Sequence, residues 1–196
     1  LRFAHAHAAA AARESMPEED RRSASREFLK ALEAAVSAGR RSEAAELDRM
    51  ARLAWDAGDG EAYRRWGTAA ARAAERRHAL GEARDHWRRL LEIETAPARR
   101  TEVREKLGDL HAAVGDLEAA DARYREAISE TAHRELVASD APPSANLAIA
   151  LTRLLRKLAQ VAHAAGRIED AETWYAQALR EARAGREPGE PCPTPS

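Results

Sequence analysis

The sequence predicts an all-α protein made of about four antiparallel helix pairs laid in series, and three observations carry that expectation. Two stretches repeat one punctuation: Leu107, Gly108, Gly115, Ala120, Tyr124 and Ala127 recur at identical internal spacing as Leu158, Ala159, Gly166, Ala171, Tyr175 and Ala178. Small residues at fixed offsets let the two helices of a pair approach closely, and the ring fills the space between pairs. The 196 residues are alanine-rich, 33% charged and only 5% aromatic, a mix that favours helix and starves a sheet. No run alternates apolar and polar residues long enough for a strand, whereas apolar residues recur at helical spacing between Gly and Pro breakers.

Taken in order, residues 1–16 read as an Ala-rich helix that starts without a cap or an initiator Met, as if cut from something longer. Pro17 at a first-turn position, followed by Glu18, Glu19 and Asp20, suits the positive end of a helix dipole, and the first pair spans about 18–57. Within it Gly39 stops the first helix, Ser42 is the expected N-cap of the second, and Leu47, Ala51, Leu53 and Trp55 continue it. Gly58-Asp59-Gly60 breaks the chain, after which Tyr63, Trp66, Ala69, Ala70 and Ala73 begin a second pair over 60–93, with a tight turn expected at Leu80-Gly81. Pro97 lets a third pair start, over 98–137, and Ala141-Pro142-Pro143-Ser144 must interrupt the chain before a fourth pair over 145–184. Gly115 and Gly166 lie 51 residues apart rather than the roughly 34 of an uninterrupted array, so that junction carries an insertion. The tail, 185–196, mixes Gly, Pro and Glu without periodicity and is expected to be disordered.

A formal net charge of −1 gives the whole chain no long-range field toward nucleic acid or an anionic membrane. No window approaches the roughly 18 apolar residues of a membrane span, so a cytoplasmic location is expected. Cys192 is the single cysteine, which leaves no intramolecular disulfide and no cysteine-based zinc site.

The repeated Leu-Gly/Ala, Gly, Ala, Tyr and Ala positions resemble the tetratricopeptide repeat, a helical scaffold that binds partners. The resemblance implies a right-handed solenoid whose concave groove is lined by the first helix of each pair. Its register places Arg65, Thr68 and Arg72 of the second pair, Glu102, Glu105 and Asp109 of the third, and Arg153, Arg156 and Gln160 of the fourth in that groove. The order is basic, acidic, basic. One reading is a groove for a protein or peptide carrying both signs, its arginines gripping carboxylates two-pronged. Another pairs neighbouring rows with each other, Glu105 with Arg156 for example, as surface salt bridges worth about 0–1 kcal/mol. The family's clamp around a peptide's terminal carboxylate is not expected, because Glu105 and Asp109 stand at its matching sites.

A second resemblance lies upstream. Phe3, His5, the alanine run at 8–12, Ser15-Met16-Pro17-Glu18-Glu19 and Leu32-Glu33 follow the order in which bacterial signal-transduction ATPases with numerous domains end their ATPase module and enter helical repeats. Arg13 and Ala24-Ser25 depart from that pattern. The resemblance implies a regulator as parent protein, with an ATPase domain of the same parent chain as a possible partner. Self-association is a further expectation, since a truncated array leaves one apolar face without a neighbour.

Catalytic signatures are missing: there is no Gly-rich phosphate loop, no Gly-x-Ser-x-Gly elbow and no His-Glu-x-x-His helix, so no enzyme, cofactor or metal is expected. His5 and His7 point to different faces of a helix; His78 and His86 are expected to be separated by a break at Gly81. Trp66 and Trp87 fall at apolar repeat positions and read as core, while Trp174, beside Tyr175, is the aromatic expected to be partly exposed for contact. Basic residues crowd 64–89, including Arg76-Arg77 and Arg88-Arg89, yet Glu75, Glu82 and Asp85 are interspersed, and a solvated helical face accounts for them better than phosphate contact.

Overall fold

Proline at helix starts, left-handed residues at helix ends and alanine-lined faces decide where each element begins, stops and buries itself. The computed structural model describes residues 16–38, 43–137 and 145–184. The Ala-rich opening with Phe3, His5 and His7, the Gly39 stop, the Ser42 cap, the 141–144 interruption and the tail with Cys192 lie outside them. Among the described residues there is no strand. The helices are α1 (Glu18–Ser37), α2 (Ala44–Asp56), α3 (Gly60–Arg76), α4 (Leu80–Ile93), α5 (Pro97–Ala113), α6 (Leu117–Val137), α7 (Ala145–Ala164) and α8 (Ile168–Ala184). They fall into two compact units, Leu1–Ile93 and Glu94–Ser196, and within each unit every helix packs on the one before it.

In the first unit α1 carries three acidic residues in its first turn behind Pro17. The cap of α2 is Glu43, in a reciprocal box with Glu46. Asp59 caps α3, its carboxylate accepting from the Ala62 amide at 2.9 Å. Ala70, Ala71, Ala73 and Ala74 are buried, so α3 contacts its neighbours closely and leaves room for two large rings, Tyr63 and Trp87, both fully buried. Trp66 is buried too, and its indole Nε1 donates to Glu33 on α1 at 2.6 Å.

In the second unit Pro97 opens α5, and the buried Glu94 carboxylate accepts from the Thr95 and Ala96 amides just ahead of it. Gly108, Ala120, Ala159 and Ala171 are all buried, as the repeat requires. The glycine is obligatory at Gly108: a β-carbon there would sit 2.5 Å from the Tyr124 ring. At the equivalent position of the next pair Ala159 already fills that space, and the equivalent ring, Tyr175, is exposed instead. Trp174 is half-buried against the cluster of Tyr124, Leu154 and Leu158, so it is partly exposed as expected, but Tyr175, which the repeat register places in the core, is the more exposed of the two.

In four of the described turns one residue takes a left-handed conformation, two residues beyond the helix end. Gly58, Gly115 and Gly166 do so without penalty, but the turn between α3 and α4 uses His78, at φ 56°. The break therefore falls at His78, and Gly81 belongs to the first turn of α4 rather than to a turn of its own. A side chain in this region is strained by roughly 1 kcal/mol or more. His78→Gly is expected to stabilise the chain by about 0.5–1 kcal/mol, read as a higher urea midpoint at unchanged slope; a lower midpoint contradicts the strain.

Candidate functional site

The rows named from the repeat register sit on α3, α5 and α7. In the second unit they are knitted together. Glu105, only 7% exposed, receives two parallel bonds from the Arg153 guanidinium, at 2.8 and 2.9 Å, and lies 2.8 Å from Lys157 Nζ. Asp109 accepts from the same ammonium at 2.6 and 2.8 Å and from the Tyr124 hydroxyl at 2.7 Å. Burial alone would raise the Glu105 pKa, but the bonds from Arg153 and Lys157 outweigh it and hold the carboxyl below its usual range. Burial, reinforced by the Asp109 carboxylate, pushes the Tyr124 hydroxyl upward.

The pairing of neighbouring rows is thus present, with a different partner from the one the register suggests. Glu105 meets Arg153 and Lys157, not Arg156. Both Glu105–Arg153 and Asp109–Lys157 are separated by 48 residues, so α5 and α7 are staggered by three residues relative to repeat-equivalent positions. Arg156 and Gln160 are left exposed beside the network, and Glu102 pairs with Arg99 along its own helix.

In the first unit the corresponding row lies on α3. Arg65 is exposed with its guanidinium 4.4 Å from the Trp66 ring centre, Arg72 is exposed, and Thr68 donates back to the Arg64 carbonyl at 2.6 Å. The basic run on 64–89 is largely dispersed into local contacts: Arg64 donates to the Ile93 carbonyl, Arg77 pairs with Glu82 and Arg88 with Asp85.

Sequence reasoning missed two features of this unit. The first is a buried chain of polar groups crossing three helices. The Tyr63 hydroxyl donates to His86 Nδ1 at 3.1 Å, and His86 Nε2 donates to Asp48 at 3.0 Å, a consistent arrangement for a neutral imidazole. Asp48 in turn accepts two bonds from Arg52. Burial lowers the His86 pKa against the opposing pull of Asp48, and burial pushes the Tyr63 hydroxyl up to about 12, so it stays protonated. The folded state therefore binds the His86 proton less well than the unfolded chain does. Its stabilisation is complete above the unfolded value of about 6.5 and is lost as pH falls from there toward the folded value. Melting temperature is expected to drop between neutral and mildly acidic pH, with a shallower drop in His86→Gln; equal slopes contradict the assignment.

The second is a hollow of about 310 Å³ walled by Phe28 of α1, Arg49, Arg52, Leu53 and Asp56 of α2, and Arg89 of α4. Phe28 is 59% exposed. The Arg89 guanidinium lies 5.3 Å from the Trp55 ring centre, and Trp55 meets Tyr63 edge-on at 5.1 Å. The four α2 residues follow helical i, i+3, i+4, i+7 spacing, which was legible; the approach of Phe28 and Arg89 was not.

Among the described residues no group of three His, Cys, Asp or Glu side chains is placed to hold a metal ion. No described helix is long and apolar enough to cross a membrane. No protein-family model matches the chain, and no curated protein matches it. Among solved structures it is similar to BtubC (BKLC) from P. vanneervenii, at 13% identity over 93% of this chain and 97% of that one, with a TM-score of 0.27. A superposition that loose carries no argument about function.

Proposed function

We propose that the chain is a tetratricopeptide-like repeat region that binds a protein or peptide segment without turnover. The observation that carries this reading is the lattice of Glu105, Asp109, Arg153 and Lys157, anchored by Tyr124, which holds a charged face rigid with Arg156 and Gln160 exposed at its side. Charges fixed before a partner arrives lose little side-chain freedom on binding, so more of the interaction energy reaches affinity. Helix pairs closed through small residues, Gly108 under Tyr124 and Ala120 and Ala171 at their crossings, supply the stiff frame.

The test is peptide selection by phage display on the immobilised chain, followed by calorimetric titration of the selected sequences. Enriched peptides are expected to bind, and Arg156→Glu to weaken them about tenfold or more, the worth of one charged hydrogen bond. Hydrolysis of ATP by the purified chain, or selection that enriches nothing, argues against the reading.

A second reading has its own support. On α8, Tyr175 and Leu179 lie one turn apart and are both exposed, and Ile149 on α7 is 61% exposed. Apolar residues so displayed suit an array that continues into, or folds back upon, another domain of a larger regulatory ATPase, with the chain as its regulatory arm. They equally suit self-association. Sedimentation of the wild type and Leu179→Glu across a concentration range separates the two: loss of a concentration-dependent dimer in the variant assigns the face to self-association.

A further inference from the structure

We infer that the hollow between α1, α2 and α4 binds an acidic peptide segment through an apolar side chain set against Phe28 and Leu53, with flanking carboxylates on Arg49 and Arg89. This rests on the reading of the chain as a binding scaffold and adds to it a surface and a partner chemistry that the first-helix rows do not supply.

Three observations point the same way. The wall carries three guanidinium groups and one carboxylate, in a chain whose formal net charge is −1, so the excess is local. The three arginines differ in what already satisfies them. Arg52 is committed to Asp48 by bonds of 3.1 and 2.9 Å, whereas Arg49 is exposed with no ion-pair partner among the described residues, and Arg89 faces the Trp55 ring and the Tyr63 hydroxyl rather than a carboxylate. Two cations thus stand unneutralised on either side of an apolar floor. That floor is the third observation: Phe28 is the most exposed aromatic on the described surface, and it is set beside Leu53 where a second apolar side chain can cover it.

The same geometry disfavours a phosphate backbone. Asp56 shares the wall and repels closely spaced negative charges, and a hollow of about 310 Å³ admits one or two side chains rather than a continuous strand. An acidic segment with one bulky apolar residue meets all three features: carboxylates reach the two guanidinium groups that have no carboxylate partner, spacing keeps them from Asp56, and the apolar side chain removes Phe28 from water. The hollow is also pre-set, because Arg52 is locked by Asp48 and Asp48 by His86.

The experiment is fluorescence anisotropy with a labelled synthetic peptide, Gly-Glu-Ser-Glu-Ser-Leu-Ser-Glu-Gly, beside a control in which every acidic residue is Lys. The acidic peptide is expected to bind, more weakly at high salt, and the basic control not to bind. Arg49→Glu, exposed and unpaired and so neutral to folding, is expected to weaken binding about tenfold or more, and Phe28→Ser to weaken it several-fold by about the same route as losing a half-buried ring. Affinity unchanged in Arg49→Glu and Phe28→Ser overturns the assignment. If binding is instead lost in Arg65→Glu or Arg156→Glu, the hollow is wrong while the scaffold reading stands. Displacement of the peptide by duplex DNA at equal charge concentration overturns it in favour of phosphate contact. No binding of the acidic peptide to the wild type overturns the hollow alone, since the phage selection decides the scaffold reading separately.

Discussion

Trp87→Ala is expected to lower the unfolding free energy by about 3–5 kcal/mol, the range found for emptying a buried aromatic site. The indole is fully buried on α4, which packs on α3, so its removal opens a void in the core of the unit. Its Nε1 also donates to the Glu75 carboxylate at 2.6 Å, a charge-assisted bond that the truncation deletes. Trp55→Ala provides the internal comparison. Trp55 is only half-buried, so its loss is expected to cost less than that of Trp87. Urea unfolding followed by far-ultraviolet circular dichroism measures both. A loss below about 1 kcal/mol for Trp87→Ala contradicts its place in the core.

The sequence made helix existence and pairing legible because those depend on local rules. Pro97 has no amide to offer and so starts α5, and Gly115 and Gly166 take left-handed conformations that close their turns. Burial of Gly108, Ala120, Ala159 and Ala171 follows from the same logic, since helices that touch need small residues where they cross.

What escaped reading depends on contacts between helices. Tyr124 and Tyr175 hold the same repeat position, yet the Tyr124 ring lies on Gly108, whereas Ala159 stands at the matching place in the next pair and Tyr175 is exposed. His78 sits at the place that Gly58, Gly115 and Gly166 hold in three other turns, and nothing in its side chain announces a left-handed backbone. The 51-residue repeat spacing sets Glu105 opposite Arg156 if equivalent positions face one another; the three-residue stagger of α7 against α5 brings Arg153 and Lys157 there instead. The candidate hollow in the first unit was out of reach for the same reason, as its walls come from helices far apart in sequence.

That stagger makes the Glu105 network the second place where a large effect is expected. Arg153→Gln with Lys157→Met removes both cations that touch the buried Glu105 carboxylate while keeping much of the side-chain bulk. Stripping a buried charge of its partners typically costs about 3–5 kcal/mol, because the desolvation remains when the attraction is gone. The sign of the pH dependence should reverse with it. In the wild type the folded-state pKa of Glu105 is depressed, so its contribution is present above the unfolded value of about 4.3 and is lost as pH falls below it. In the double variant burial raises that pKa, so the folded state takes up the proton first and stability rises as pH falls through the raised value toward the unfolded one of about 4.3. Asp109 keeps its bond from the Tyr124 hydroxyl and limits the damage on that side. Adding Glu105→Gln to the double variant removes the stranded charge and is expected to recover much of the loss and to abolish the reversed slope. Melting curves over a pH series for the three proteins test this together; a double variant whose slope matches the wild type would mean that Glu105 is solvated rather than buried.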